Sequence, residues 1–245
     1  MKKIYNTLKM SKFGKWWMKY NLFYLVLPLL FWGWIAISYK LCMLINTDAY
    51  TFDFPIDDAI PFYSYFFVFY FCYYFLPEII LWRISFKDKK KYWRSAIAFF
   101  ISCFIANLSF CIYNVQMIRT PGILEMKFSD IHNLSTFFDY CVHCVYKTDA
   151  NALNCFPSMH AMGGALLVIL GITIPKLDQK CFSLWKEITI VIIGIGCTLS
   201  TVFIKQHYFL DMIVGFLIMI ILYALVTGIS IIRDKNKENT LSIKE

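Results

Sequence analysis

The chain has 245 residues, of which 59% are hydrophobic, 19% aromatic and only 16% charged, against roughly 25% charged in an ordinary soluble domain. That composition excludes a soluble globular fold and points to an all-α integral membrane protein. The net charge of +8 implies no nucleic-acid partner, because membrane topology and contact with anionic lipid account for the basic residues.

Residues 1–21 mix lysines with Trp16, Trp17 and Tyr20. Such a segment suits a lipid interface, and a solvated tail equally well. The basic lead and the apolar stretch after it are both long, and no small-residue cleavage site follows, so the first span is expected to remain rather than be removed as a signal. Runs of about 18 or more apolar residues can cross a hydrocarbon core of roughly 30 Å. They are expected at 22–39, 60–82, 95–113, 160–175, 187–204 and 209–232, the fourth being short and carrying Gly163 and Gly164. No internal repeat or low-complexity tract interrupts them. The expected architecture is one six-transmembrane-helix bundle over 22–232, with a tail at 233–245.

Lys and Arg set its orientation. Six lie in the lead, six between the second and third spans, three between the fourth and fifth, and four in the tail, so nineteen of the 24 share one side. By the positive-inside tendency that side, with both termini, is cytoplasmic. Lys40, Arg119, Lys127, Lys147 and Lys205 stay on the other side, with all four histidines and with Asp48, Asp53, Asp57 and Asp58. Ionisable groups at the mouth of a bundle are functional candidates, because burying them unpaired is costly. The expected location is a multi-pass plasma-membrane protein with an extracytoplasmic site.

In "NCFPSMHAMGG", Pro157 and Ser158 read as a helix start, with His160 in the first turn. A helix N-terminus favours anions; Ser158 could donate to a phosphate oxygen and His160 could protonate a leaving alkoxide. The same residues also fit a plain capped helix with an interfacial histidine. In "STVFIKQHYFLD", His207 and Asp211 are four apart and share a helical face. Asp211 could take the imidazole N–H, leaving the other nitrogen as nucleophile, with Lys205 adding a cation. A structural His–Asp pair with a snorkelling lysine is the plainer alternative. Together the two stretches hold the equipment for phosphoryl transfer.

The pair resembles the second and third motifs of the type 2 phosphatidic acid phosphatase superfamily, whose pattern is KxxxxxxRP, then PSGH, then SRxxxxxHxxxD. "PSMH" has Met159 in the glycine position, and "STVFIKQHYFLD" keeps the spacing of Ser200, His207 and Asp211 but has Thr201 where the family has arginine. "IYNVQMIRTPG" is a degenerate first motif, with Ile112 in the lysine position and Arg119 kept. The resemblance implies catalysis by His207, Asp211 and His160, with His207 forming a phosphohistidine, and phosphate binding by Arg119, Ser158 and Ser200; Lys205 is expected to bind phosphate in place of the arginine missing at Thr201. It also implies a lipid phosphate or pyrophosphate substrate (phosphatidate, phosphatidylglycerol phosphate or undecaprenyl pyrophosphate type), with neither metal nor cofactor. Its "KQHY" wording resembles the inositol phosphorylceramide synthase branch, making headgroup transfer the alternative to hydrolysis. A transporter fits less well, because the ionisable groups avoid the span centres, and an inactive lipid-binding relative remains a further alternative.

Cys42, Cys72, Cys103, Cys111, Cys181 and Cys197 lie in or near spans, where they are expected to act as small apolar residues. "CVHC", Cys141 to Cys144, is weak as a zinc site without a second ligand group. Cys155 could pair with Cys141 or Cys144 in an oxidising exterior. Asp149 and Asn154 read as loop formers, and the Phe and Tyr stripe from Phe62 to Phe75 as lipid contact or helix packing.

Overall fold

The computed structural model describes residues 19–45, 49–52, 54–149, 152–173 and 184–242. Expectations for the lead before Lys19, for Asp48 and Asp53, for Lys176 and Lys180, and for Lys244 fall outside them. Among the described residues the chain is helical without strands. Its helices are α1 Phe23–Ile45, α2 Pro55–Ala59, α3 Phe67–Cys72, α4 Leu76–Ser85, α5 Lys89–Ile112, α6 Pro121–Leu124, α7 Leu134–Thr148, α8 Met159–Thr173, α9 Leu184–Phe203 and α10 Phe209–Ser242.

Among the described residues five stretches are long and apolar enough to cross a membrane, against the six expected: Phe23–Leu41, Ser64–Ser85, Lys89–Ile112, Trp185–Phe203 and Phe209–Leu241. The expected fourth, α8, has 15 described residues and falls short of that length. It is the central helix, packed on α9, α10, α5 and α4. Ala161, Met162, Ala165, Leu166, Leu167 and Leu170 on it have no exposed surface. A helix sheathed by protein has its environment supplied by its neighbours rather than by lipid.

Small residues let α9 close on α8. A Cβ on Gly194 would lie 2.7 Å from the carbonyl of Gly164, and one on Gly164 would lie 2.6 Å from the carbonyl of Gly194. The two backbones therefore touch, as small residues permit between membrane helices.

Other boundaries also differ from the sequence reading. The expected second span breaks between α3 and α4, where Pro77 opens α4, a position that suits proline because the first-turn N–H has no helical partner. The third helix starts at Lys89, earlier than expected, because Asp88 caps it by accepting from Lys91 N at 2.9 Å. The last helix continues to Ser242 through part of the expected tail. Near that end Lys90 Nζ meets Asp234 Oδ2 at 2.9 Å and Arg94 Nε donates to Ser230 Oγ at 2.9 Å, tying α5 to α10. Within the bundle, Trp32 Nε1 donates to Glu78 Oε1 at 2.6 Å and ties α1 to α4.

At the opposite end three connecting segments pair through isolated bridges. Tyr50 N donates to Asn114 O at 2.9 Å, Gln116 N to Tyr50 O at 2.8 Å, Met117 N to Ala152 O at 3.1 Å and Cys155 N to Val115 O at 3.4 Å. Residues 114–117 thus hold the 152–155 segment that leads into α8. The cysteines correct the sequence reading: Cys111 is disulfide-bonded, while Cys141, Cys144 and Cys155 are free thiols.

Candidate active site

The turn from α9 into α10 builds half the site. After Phe203 the helix unwinds, and Lys205 takes φ 51°, the left-handed conformation that ends many helices. Thr201 O accepts from both Gln206 N (2.9 Å) and His207 N (3.0 Å), so the reversal holds both residues by their backbone. Helix α10 starts two residues later. Asp211 in its first turn accepts from Tyr208 N at 3.0 Å through Oδ2, and Asp57 Oδ1 accepts from Phe209 N at 2.6 Å. Carboxylates at a helix N-terminus satisfy its free N–H groups and complement its dipole.

His207 Nδ1 lies 3.5 Å from Asp211 Oδ2. Its shorter contact, 2.8 Å, is with the backbone carbonyl of Cys155. A carbonyl oxygen only accepts, so Nδ1 carries the proton and Nε2 keeps the lone pair, the form a nucleophile needs.

The start of α8 builds the other half. Ser158 caps the helix, its Oγ accepting from Ala161 N at 3.2 Å, while its own N donates to Asp211 O at 3.1 Å. The two helix starts are thus joined through their backbones. Gly215 on α10 keeps that junction close, since a Cβ there would strike Ser158 O. His160 follows in the first turn, stacked on Tyr70 with ring centroids 4.2 Å apart, and its Nε2 lies 3.4 Å from Tyr74 Oη. The rings of His160 and His207 are 5.7 Å apart.

Both histidines line a cavity of about 620 Å³. Asp149, Asn154 and Gln206 add polar groups, and Phe67, Phe71, Phe128 and Phe137 form apolar walls. Two histidines, one with a fixed tautomer, beside an aromatic-walled cavity can attack phosphorus and protonate a leaving oxygen.

A family model described as PAP2 superfamily matches residues 124–233. That region is similar to the PAP2 superfamily. Its members are membrane phosphatases and phosphotransferases, in keeping with the apolar helices. Searches of curated proteins and of solved structures give no match. The matched region runs from the end of α6 into α10, covers both histidine motifs, and begins after Arg119.

The remaining residues expected at the site from the sequence lie off the cavity. Arg119 Nη2 contacts Asp149 Oδ2 at 2.9 Å and Asp149 O at 3.3 Å, its Nη1 is 3.5 Å from Lys205 O, and its guanidinium carbon lies 4.5 Å above the Tyr146 ring. Asp149 also accepts from Tyr39 Oη at 2.7 Å. Burial holds the Asp149 carboxyl above its ordinary range, opposed by the Arg119 charge. Lys205 Nζ sits 2.6 Å from the carbonyls of Asp57 and of Ile60, and burial lowers its pKa. Ser200 Oγ donates to Cys197 O at 2.7 Å and Thr201 Oγ1 to Thr198 O at 2.8 Å, both with no exposed surface. Arg119, Ser158, Ser200 and Lys205 are all absent from the cavity lining.

Sequence reasoning missed four contributors. Tyr70 and Tyr74 belong to the aromatic stripe assigned to packing, although their spacing of four puts them on one helical face. Gln206 was hidden beside the histidine, and the Cys155 carbonyl has no side-chain signal at all. Cys155, His207 and Asp211 bring potential metal-ligand atoms within 4.8 Å of one another. The Cys155 thiol donates to Ala152 O at 3.1 Å, and burial with the Asp211 charge pushes its pKa well up. In "CVHC", His143 Nδ1 bonds Ile123 O at 2.8 Å while Cys141 and Cys144 line the cavity wall.

Proposed function

We propose that the protein is a lipid phosphatase acting on a phosphate monoester or pyrophosphate through a phosphohistidine at His207, on the extracytoplasmic face of the plasma membrane. The observation that carries this is the pairing of His160 and His207, rings 5.7 Å apart, on one cavity with His207 Nδ1 held by a carbonyl. Nε2 of His207 attacks phosphorus; the P–O bond to the lipid breaks as His160 gives its proton to the departing oxygen. Water, deprotonated by His160, then attacks phosphorus as the P–N bond breaks, releasing phosphate, freeing the His207 imidazole and returning to His160 the proton it gave up. Asp211 supports the charge that develops on His207. The chemistry uses side chains alone, so turnover is expected to persist in EDTA.

Transfer to a second lipid hydroxyl, as in inositol phosphorylceramide synthases, follows the same first step. The apolar wall of Phe67, Phe71, Phe128 and Phe137 favours it, since such a wall can seat an acceptor chain. Purified protein is to be incubated with labelled phosphatidate, phosphatidylglycerol phosphate and undecaprenyl pyrophosphate, with and without inositol or diacylglycerol. Free phosphate identifies hydrolysis and a labelled new lipid identifies transfer. Neither product from any substrate overturns both readings.

A further inference from the structure

The third motif lacks its arginine, and neither Lys205, expected to replace it, nor Arg119, the arginine of the first motif, lines the cavity. Thr201 bonds within α9, Arg119 is engaged by Asp149, and Lys205 by two carbonyls of the α2 region. A phosphoryl group against His207 nevertheless needs a donor for the charge on its oxygens. Gln206 lines the cavity beside His207 and is only 3% exposed. Its Nε2 is buried without a hydrogen-bond partner among the described residues. Its backbone is held, N donating to Thr201 O at 2.9 Å and O accepting from Cys155 Sγ at 3.6 Å. An unpaired buried amide is costly, and such a cost beside a nucleophile calls for a partner that the ligand can supply. Asn154 shares the cavity but is half-buried, so solvent satisfies it at no such cost.

We infer that Gln206 is a phosphate-binding residue, its Nε2 donating to an oxygen of the transferring group where the family pattern uses the arginine missing at Thr201. The inference rests on the phosphoryl-transfer reading above and adds to it a neutral seat. Because Gln206 bears no charge, the ligand class is a phosphate or pyrophosphate group recognised by hydrogen bonding beside His207 rather than by a cation.

The test uses the full chain in detergent micelles, with orthovanadate as the probe because it mimics five-coordinate phosphorus. Gln206→Met removes the amide at similar volume, and Gln206→Glu puts an acceptor in its place. For Gln206→Met we expect vanadate affinity to fall ~10-fold or more and kcat ~100-fold, with KM little changed. The thermal midpoint should hold or rise, since no internal hydrogen bond is lost. Gln206→Glu should weaken vanadate further, and it carries the comparison if Gln206→Met fails to fold. Wild-type vanadate affinity and kcat in both variants, or a wild-type protein that binds no vanadate, overturns the inference. A midpoint that falls in step with kcat overturns it too, as the mark of a structural role. If vanadate binds in a Gln206-dependent way but no lipid phosphate is turned over, the seat stands and the proposed function fails. If lipid phosphate is turned over regardless of Gln206, the function stands and the seat fails.

Discussion

His207 gives its Nδ1 proton to the backbone carbonyl of Cys155 at 2.8 Å, while the Asp211 carboxylate, expected to take it, stands off at 3.5 Å. The carbonyl keeps the tautomer whatever occupies position 211. Asp211→Asn should therefore lower kcat only ~10- to 100-fold, the usual effect of losing an outer partner of a reactive histidine. His207→Ala should abolish both turnover and phosphohistidine. Acid-quench trapping of labelled enzyme measures the second directly. An Asp211→Asn loss as deep as that of His207→Ala would show that the carboxylate, not the carbonyl, sets the tautomer.

His160 stands where a leaving oxygen needs a proton, so its loss should depend on the leaving group. His160→Ala is expected to lower kcat for a lipid alkoxide ~10²- to 10⁴-fold. An aryl phosphate, whose phenolate leaves without a proton, should lose far less. Equal losses on both substrates would remove His160 from the acid role. Tyr70→Ala should shift the same comparison in the same direction, because Tyr70 stacks on the imidazole at 4.2 Å.

These pairings show how far residue patterns reach. Apolar runs and the spacing of Ser200, His207 and Asp211 are properties of one segment, and they placed the helices and both histidines at one end of the bundle. Arg119 and Lys205 were assigned to phosphate because their charge is visible in the sequence. Their partners are not: Lys205 Nζ ends on Asp57 and Ile60 carbonyls, in a segment about 145 residues earlier. The Cys155 carbonyl and the free Gln206 amide were illegible for a related reason, since a backbone acceptor and an absent partner leave no mark in composition. The glycines of α8 were legible, whereas the protein sheath around that helix was not, because it is built by four other helices.

The Arg119–Asp149 pair makes stability depend on pH. Burial outweighs the guanidinium and raises the Asp149 carboxyl above its ordinary 3.8. For a raised carboxyl the stabilising contribution is fully present below that value and is lost as pH rises through the folded-state pKa. The stability difference between wild type and Asp149→Asn should therefore move against wild type on going from pH 3.8 into the weakly acidic range. Arg119→Ala should cost ~3–5 kcal/mol at neutral pH, because it strands a buried carboxylate. Adding Asp149→Asn to it should recover part of that loss. Thermal unfolding of the four proteins across pH measures both effects, and purely additive losses would show that the pair is uncoupled.

The contact between Gly164 and Gly194 sets how deeply α8 sits, and with it the height of His160 one turn above. A Cβ at Gly164 would press on Thr198 Oγ1 and on the carbonyl of Gly194 at 2.6 Å. Backbone cannot step aside as a flexible side chain can, so Gly164→Ala should cost ~1–3 kcal/mol by overpacking. It should also lower kcat, because α9 carries the turn that holds His207. Gly33→Ala is the internal control: a Cβ there meets nothing within 4 Å, and alanine in a helix gains ~0.5–1 kcal/mol over glycine. A lowered midpoint for Gly164→Ala with an unchanged or raised one for Gly33→Ala is the expected result. A wild-type midpoint and kcat in Gly164→Ala would mean that the two helices can separate without moving the site.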